Sequence, residues 1–383
     1  MKILAITPYA KIVGGANRSL LMVLENLKNK YNHDIVVALP YKSDLSDALD
    51  EIGIPWKTIK VHEIIGVKSY SPKDILRLVK ANVLALIDKN NAKSFADGIS
   101  DDYDLVYIND NACYIGAYVA MCMNLPYIWH FRTLLKPDVK FIFGAKKLFD
   151  NCNRIIAISN GMLELLKSNP SIPNEKLECI HNGVPVEDAK KSIQVRDDGM
   201  HFVQCGRLTP DKGHTDAIKA LGLLKREGIS DIFLHIVGPV FSGHESYMES
   251  LKALSKELDV EHQVIFEGSR DDMPRFRENM NGELMCSECE PFGRVTLEGM
   301  RSGLVVIGSD TGGTPEIITD KKTGLLYRQG SFEDLAQKIK CVYEDEAYAK
   351  SLAGAAYEFS RTHFTPETNV NEINRVLEEV LNK

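Results

Sequence analysis

Short apolar, β-branched runs alternate with amphipathic stretches along most of the chain. In the first half the runs are Ile3–Pro8, Asp34–Leu39, Leu105–Ile108, Tyr127–Phe131 and Arg154–Ile158. Helical patterns lie between them, including Ala16–Lys30 and Pro72–Lys89. In the first of these Leu20, Leu21, Leu24 and Leu27 recur at helical spacing. Strands that read as continuous apolar runs, separated by helices, predict a parallel sheet covered on both faces. The pattern breaks over the polar stretch 186–199 and then resumes. His201–Cys205, Ile232–Val237, Val264–Phe266, Glu283–Met285 and Leu304–Ile307 read as strands, with helices such as His214–Arg226 between them. The expected architecture is α/β: two Rossmann-like, doubly wound domains facing a central cleft. Their expected bounds are 1–186 and 199–365, joined by a linker at 187–198. A last helical pattern, Glu367–Leu381, follows Thr365-Pro366, which suit a cap and a first turn. The helix at 366–383 is expected to pack back on the first domain.

Composition narrows the class. No run of 18 apolar residues occurs, so hydropathy predicts no spanning helix. Met1–Ile6 lacks a signal-peptide pattern and reads as a first strand. These features, with eight scattered cysteines, suggest reduced thiols and a cytoplasmic setting. Cys286 and Cys289 form one C-x-x-C, but no second pair completes a zinc site, so packing thiols are the expectation. The net charge of −7 divides into +3 over residues 1–186 and −10 over 187–383. That balance argues against nucleic acid. It permits the first half to approach an anionic membrane surface. Residues 131–149 mix Phe131, Phe141, Phe143 and Phe149 with Arg132, Lys136, Lys140, Lys146 and Lys147. Such a stretch can lie on a membrane as a peripheral element. The same pattern also describes a helix whose apolar face lies in the core.

Candidate chemistry concentrates at strand ends. Glu290-Pro-Phe-Gly-Arg-Val-Thr-Leu-Glu298 follows a strand, turns at Pro291 and Gly293, and opens a helix. It offers two carboxylates and backbone N–H groups at a helix start, suited to anions and sugar hydroxyls. Gly206-Arg207 and Lys212-Gly213 follow another strand. Their two cations could offset charge growing on a departing diphosphate. Both sets could equally be solvated surface loops. Asp310–Glu316, with Gly312 and Gly313, allows close backbone approach to a ligand. Gly14-Gly15-Ala16-Asn17 resembles a phosphate-binding turn. No G-x-G-x-x-G is present, and the strand Asp34–Leu39 ends without an acid for a ribose, which disfavours a dehydrogenase. Trp129-His130-Phe131-Arg132 closes a strand, and His130 there is either structural or functional.

Taken together, these elements resemble the retaining, group-one (family four) nucleotide-sugar glycosyltransferases of the GT-B fold. The paired Glu290 and Glu298, the Gly206-Arg207…Lys212-Gly213 loop, Asn182-Gly183-Val184 and Gly313…Pro315-Glu316 follow the family's order. The resemblance spans nearly the whole chain and is strongest over 201–330. It implies a nucleoside-diphosphate sugar donor, UDP-linked, and a saccharide or lipid-linked saccharide acceptor at a membrane's inner face. It implies no metal and no further cofactor. It implies that Glu298 holds the ribose and that Arg207 and Lys212 hold the diphosphate. Glu290 and the backbone around Phe292, Gly293, Arg294 and Val295 would hold the sugar. Arg270, with Ser269, would lie near the base, His130 near the sugar's reactive side, and Gly15 near phosphate or acceptor. Arg301-Ser302-Gly303-Leu304 departs from the family's small residues and Pro. A nucleotide-sugar epimerase of the same fold, or an inactive glycan- or nucleotide-binding scaffold, are the alternatives.

Overall fold

The computed structural model describes residues 1–12, 15–66, 71–135, 139–185, 198–240 and 243–382. Gly14, Lys136 and all of the expected linker except Asp198 lie outside these residues. The chain divides into two units. Unit 1 comprises Met1–Gly183 with Pro366–Lys383, and unit 2 comprises Val184–Thr365.

Unit 1 holds β1 (Lys2–Ile6), β2 (Asp34–Leu39), β3 (Trp56–Thr58), β4 (Leu105–Asn109), β5 (Tyr127–Phe131), β6 (Arg154–Ala157) and β7 (Leu177–Cys179). They form one sheet in the order β3-β2-β1-β4-β5-β6-β7, with every pairing parallel. Unit 2 holds β8 (Met200–Cys205), β9 (Ile232–Val237), β10 (Val264–Gly268), β11 (Gly282–Met285), β12 (Val305–Ser309) and β13 (Leu325–Tyr327). Their order is β10-β9-β8-β11-β12-β13, again all parallel. In both sheets the winding reverses beside the first strand. The switch points lie between β1 and β4 and between β8 and β11. Loops leaving the carboxyl ends of such strands diverge and leave room for a ligand.

The strands are apolar on both faces because helices cover both. Ile3, Ala5, Leu105, Tyr107 and Ile128 pack with Leu20, Leu24 and Leu27 of the Gly15–Tyr31 helix. The final helix, Pro366–Leu381, adds Val370, Ile373, Val376 and Leu377 to the same core. Asn374 bonds His33 at 2.7 Å from that helix. In unit 2, Phe202, Leu234, Ile236, Leu284 and Ile307 pack with Ile218, Leu221 and Leu335 from covering helices.

Two local features answer questions that the sequence leaves open. Arg301, at the end of the Arg294–Arg301 helix, is buried and donates to the carbonyls of Val184, Pro185, Ser360, His363 and Phe364. It binds the entry of unit 2 to the carboxyl end of the Glu346–Thr362 helix, a task that no small residue or Pro could perform. Most apolar side chains of 131–149 serve the core. Phe131, Leu135, Ile142, Leu148 and Phe149 are buried, and Trp129, Phe131, Phe141 and Phe149 form a cluster of edge-on and tilted rings.

Candidate active site

Arg207, Lys212 and Glu290 of unit 2 stand on loops that leave the carboxyl ends of β8 and β11, and the loop after β12 packs against them. The β8 loop turns through Gly213, whose φ of +67° is left-handed. A Cβ at Gly213 would stand 1.9 Å from the carbonyl oxygen of Cys286. Only glycine therefore lets this loop lie against the end of β11. The Glu288 N–H donates to the Asp211 carbonyl at 2.9 Å, and Gln204 donates to the Lys212 carbonyl at 2.8 Å. These bonds fix Lys212 from both sides, with its stem against Gly206.

The Lys212 ammonium donates to Glu290 Oε1, which also accepts from the Ser287 hydroxyl at 2.7 Å. Both side chains are largely withdrawn from water, at 17% and 12% exposure, which strengthens their attraction. The β12 loop closes on the same residue. Gly313 N–H donates to the Glu290 carbonyl at 2.8 Å. A Cβ on Gly312, at φ +61°, would fall 2.3 Å from that oxygen. Three loops thus converge on Glu290, and Arg207 stands exposed on the first of them.

Glu298 lies on the Arg294–Arg301 helix, whose amino end is capped by Gly293. One of its oxygens accepts from Arg277 at 3.2 Å, and the other lies 3.9 Å from Arg294. Arg277 is buried and grips Glu283 of β11 with two bonds of 2.9 and 3.0 Å. Burial alone would draw the Arg277 pKa down, but its anionic neighbours together, Glu283 foremost and Glu298 among them, offset this and the net direction is up. A planar guanidinium can serve both carboxylates at once. Arg277 thus holds Glu298, still 28% exposed, in one orientation. Sequence reasoning missed Arg277, whose position in the Met273–Arg277 helix carries no motif.

Other expected residues fall differently. Arg270 is taken up by its own neighbours: two bonds of 2.9 Å reach Asp272, one of 3.2 Å reaches Glu267, and its guanidinium lies over Phe276. The Phe292 side chain is buried against Phe364, so only its backbone is left for a ligand. Val295 is half-buried on the first turn of its helix.

Gly15 and His130 belong to unit 1. Gly15 begins the Gly15–Tyr31 helix and is exposed. Asn17 secures that turn by donating to the Tyr9 and Lys11 carbonyls at 3.1 and 3.0 Å. His130 is the penultimate residue of β5 and is wholly buried. Its Nδ1 lies 2.6 Å from the Tyr107 hydroxyl, which accepts from Arg132 at 3.1 Å. Burial, and then the Arg132 charge, push its pKa well below the ordinary histidine value. The ring is therefore neutral at pH 7. With Arg132 donating to the Tyr107 oxygen, the hydroxyl proton turns to Nδ1, and the ring proton is assigned to Nε2. Nε2 is buried without a hydrogen-bond partner among the described residues. His130 is thus built as an N–H donor, not as a cation or a base. Tyr107 lies on the neighbouring strand, and sequence reasoning did not find it.

Comparisons with known proteins identify the family of the chain. Residues 185–359 match the family described as Glycosyl transferases group 1, and residues 13–188 match Glycosyltransferase Family 4. An N-acetylgalactosamine-N,N'-diacetylbacillosaminyl-diphospho-undecaprenol 4-alpha-N-acetylgalactosaminyltransferase of Campylobacter jejuni is 24% identical over 372 residues, covering 93% of this chain and 94% of that enzyme. The N-acetyl-alpha-D-glucosaminyl L-malate synthase of Bacillus anthracis is 24% identical, covering 70% of this chain and 72% of that enzyme. Among solved structures, HepE of Anabaena in complex with UDP and glucose superposes with a TM-score of 0.79 at 22% identity, covering 99% of this chain and 100% of that one. At that identity the likeness to HepE carries the fold, GT-B, and nothing finer. With the family matches spanning 13–359, the chain belongs to the group 1 glycosyltransferases and is a glycosyltransferase enzyme.

Proposed function

We propose that this enzyme moves a sugar from a UDP-linked donor to a hydroxyl of a saccharide or lipid-linked saccharide, with retained anomeric configuration. The observation that carries the reading is the convergence of three loops on Lys212 and Glu290 beside the β8–β11 switch point. Arg207 and Lys212 would hold the diphosphate and stabilise the charge that develops as it leaves. Those cations take the part that a metal ion plays elsewhere, and the resemblance to the family implies none. Glu290 and the N–H groups at the start of the Arg294–Arg301 helix would hold the sugar, and Glu298 the ribose.

The surroundings of the two acids support a front-face route over a covalent one. Glu290 is engaged by Lys212 and Ser287, and Glu298 by Arg277. Neither is presented as a free nucleophile, and both lie on one continuous loop and helix. A double-displacement route needs a carboxylate across the bond from the leaving group. In the front-face route the bond from the anomeric carbon to phosphate oxygen breaks and the acceptor oxygen bonds on the same side. The acceptor proton passes to the departing phosphate. The undecaprenol-linked substrate named for the Campylobacter enzyme supports a lipid-linked acceptor, and the UDP-linked donor is what the resemblance to the family implies.

Incubation with radiolabelled UDP-sugars and a panel of saccharide acceptors, with the product linkage read by proton NMR, tests the proposal. The expected product keeps the donor's anomeric configuration. An inverted product would refute the front-face route. Conversion of donor alone into its epimer would identify the epimerase instead.

A further inference from the structure

The Pro72–Asp97 helix of unit 1 packs the wrong way round for a core helix. Its buried positions are Ala81, Ala85, Asp88 and Ala92. Ile75, Leu76, Val79, Val83, Leu86 and Ile87 point outward, each 42–70% exposed. At about 100° per residue these six fall in an arc of roughly 120°, and the buried four lie on the opposite side. An amphipathic helix ordinarily turns its large aliphatic stripe to the core. Here the alanines allow close packing against the neighbouring helix, and the stripe is left bare over roughly 18 Å.

The patch does not end with the helix. Asn82, at the edge of the stripe, accepts from the Phe143 N–H at 2.7 Å. Phe143 is 95% exposed, the one ring of its segment that does not enter the core. Lysines rim the patch: Lys73 and Lys80 along one edge of the stripe, Lys89 along the other, and Lys140 and Lys147 about Phe143, all exposed. The acids of the helix are turned away or distant. Asp74 pairs with Arg77, Asp88 is buried against His62, and Asp97 lies roughly 15 Å beyond Ile87.

We propose that this face docks on an anionic lipid bilayer, with the stripe and Phe143 at the acyl boundary and the lysines among the headgroups. A convex apolar stripe with a basic rim suits the flat, charged surface of a bilayer. A second copy suits it poorly, since an isologous contact would set one lysine rim against another. The inference goes beyond the proposed reaction and does not depend on it, because vesicle binding needs neither donor nor acceptor.

Co-sedimentation of the full chain with sucrose-loaded vesicles of POPC, with and without POPG, tests it. The wild-type chain is expected to bind POPG-containing vesicles and to lose binding as salt rises. The Leu76→Glu/Leu86→Glu and Phe143→Ser variants are expected to bind at least about tenfold more weakly. All of these positions are exposed, so circular dichroism and UDP affinity should match the wild type. Lys252→Glu, on unit 2, should bind vesicles as the wild type does. Equal sedimentation with and without POPG, or stripe variants that bind like the wild type, would overturn the proposal. So would a wild-type dimer in light scattering that Leu76→Glu/Leu86→Glu converts to monomer, since a second copy would then cover the stripe.

Discussion

Arg277→Lys separates an orienting role from a purely structural one. Arg277 makes two bonds to Glu283 and one to Glu298, from a side chain only 4% exposed. Lysine keeps the charge but has no planar fork, so it cannot hold both acids in the present geometry. A hydrogen bond to a charged group contributes about 1.5–3 kcal/mol. Losing the Glu298 contact while keeping the Glu283 charge partner should therefore cost about 1–2 kcal/mol of stability. The more diagnostic effect is on binding. If Glu298 holds the ribose, freeing its carboxylate should weaken UDP about tenfold, equivalent to about 1.4 kcal/mol. Isothermal titration with UDP and with 2'-deoxy-UDP, on the wild type, Arg277→Lys, Glu298→Gln and the double variant, measures this. The penalty of Arg277→Lys should shrink for the deoxy nucleotide and largely vanish in the Glu298→Gln background. An equal penalty for both nucleotides, or additivity of the two substitutions, would refute the orienting role. A Glu298→Gln variant that discriminates the two nucleotides as the wild type does would instead refute the ribose assignment of Glu298 itself.

Lys212→Ala should lower turnover at least about 100-fold, the scale for one preorganised charge partner, and near-normal transfer from a radiolabelled donor would remove Lys212 from the mechanism. Gly312→Ala forces a side chain into a left-handed position 2.3 Å from the Glu290 carbonyl; thermal unfolding should show a loss of about 1–3 kcal/mol, with a raised donor KM. Burial, with a smaller contribution from Lys212, lowers the His214 pKa to about 4. Between pH 6.5 and 4 the unfolded chain then binds the extra proton, so this contribution is complete above pH 6.5 and is lost on acidification. The loss approaches about 3 kcal/mol near pH 4, and His214→Gln should flatten that part of the denaturant-midpoint profile.

Much of this protein was legible in its sequence, because the signals concerned are local. Apolar runs of strand length alternating with helical periods specify parallel sheets wherever they occur. A strand followed by glycine and charge marks a loop at the carboxyl edge of the sheet, as with Glu290 and Glu298 on one loop and helix. What lay beyond reach depends on residues far apart in the chain. Lys212 meets Glu290 across 78 positions only because β8 and β11 are neighbours at the switch point. Arg277 reaches Glu298 because both flank β11, and no spacing announces it. The proton on His130 is placed by Tyr107, through the pairing of β4 with β5. The Pro72–Asp97 helix shows the limit most plainly. Its periodicity identifies an apolar face, but only packing decides whether that face or the alanine face turns to the core. Periodicity is a property of neighbours along the chain, whereas orientation and pairing are set by which distant surfaces exclude water together.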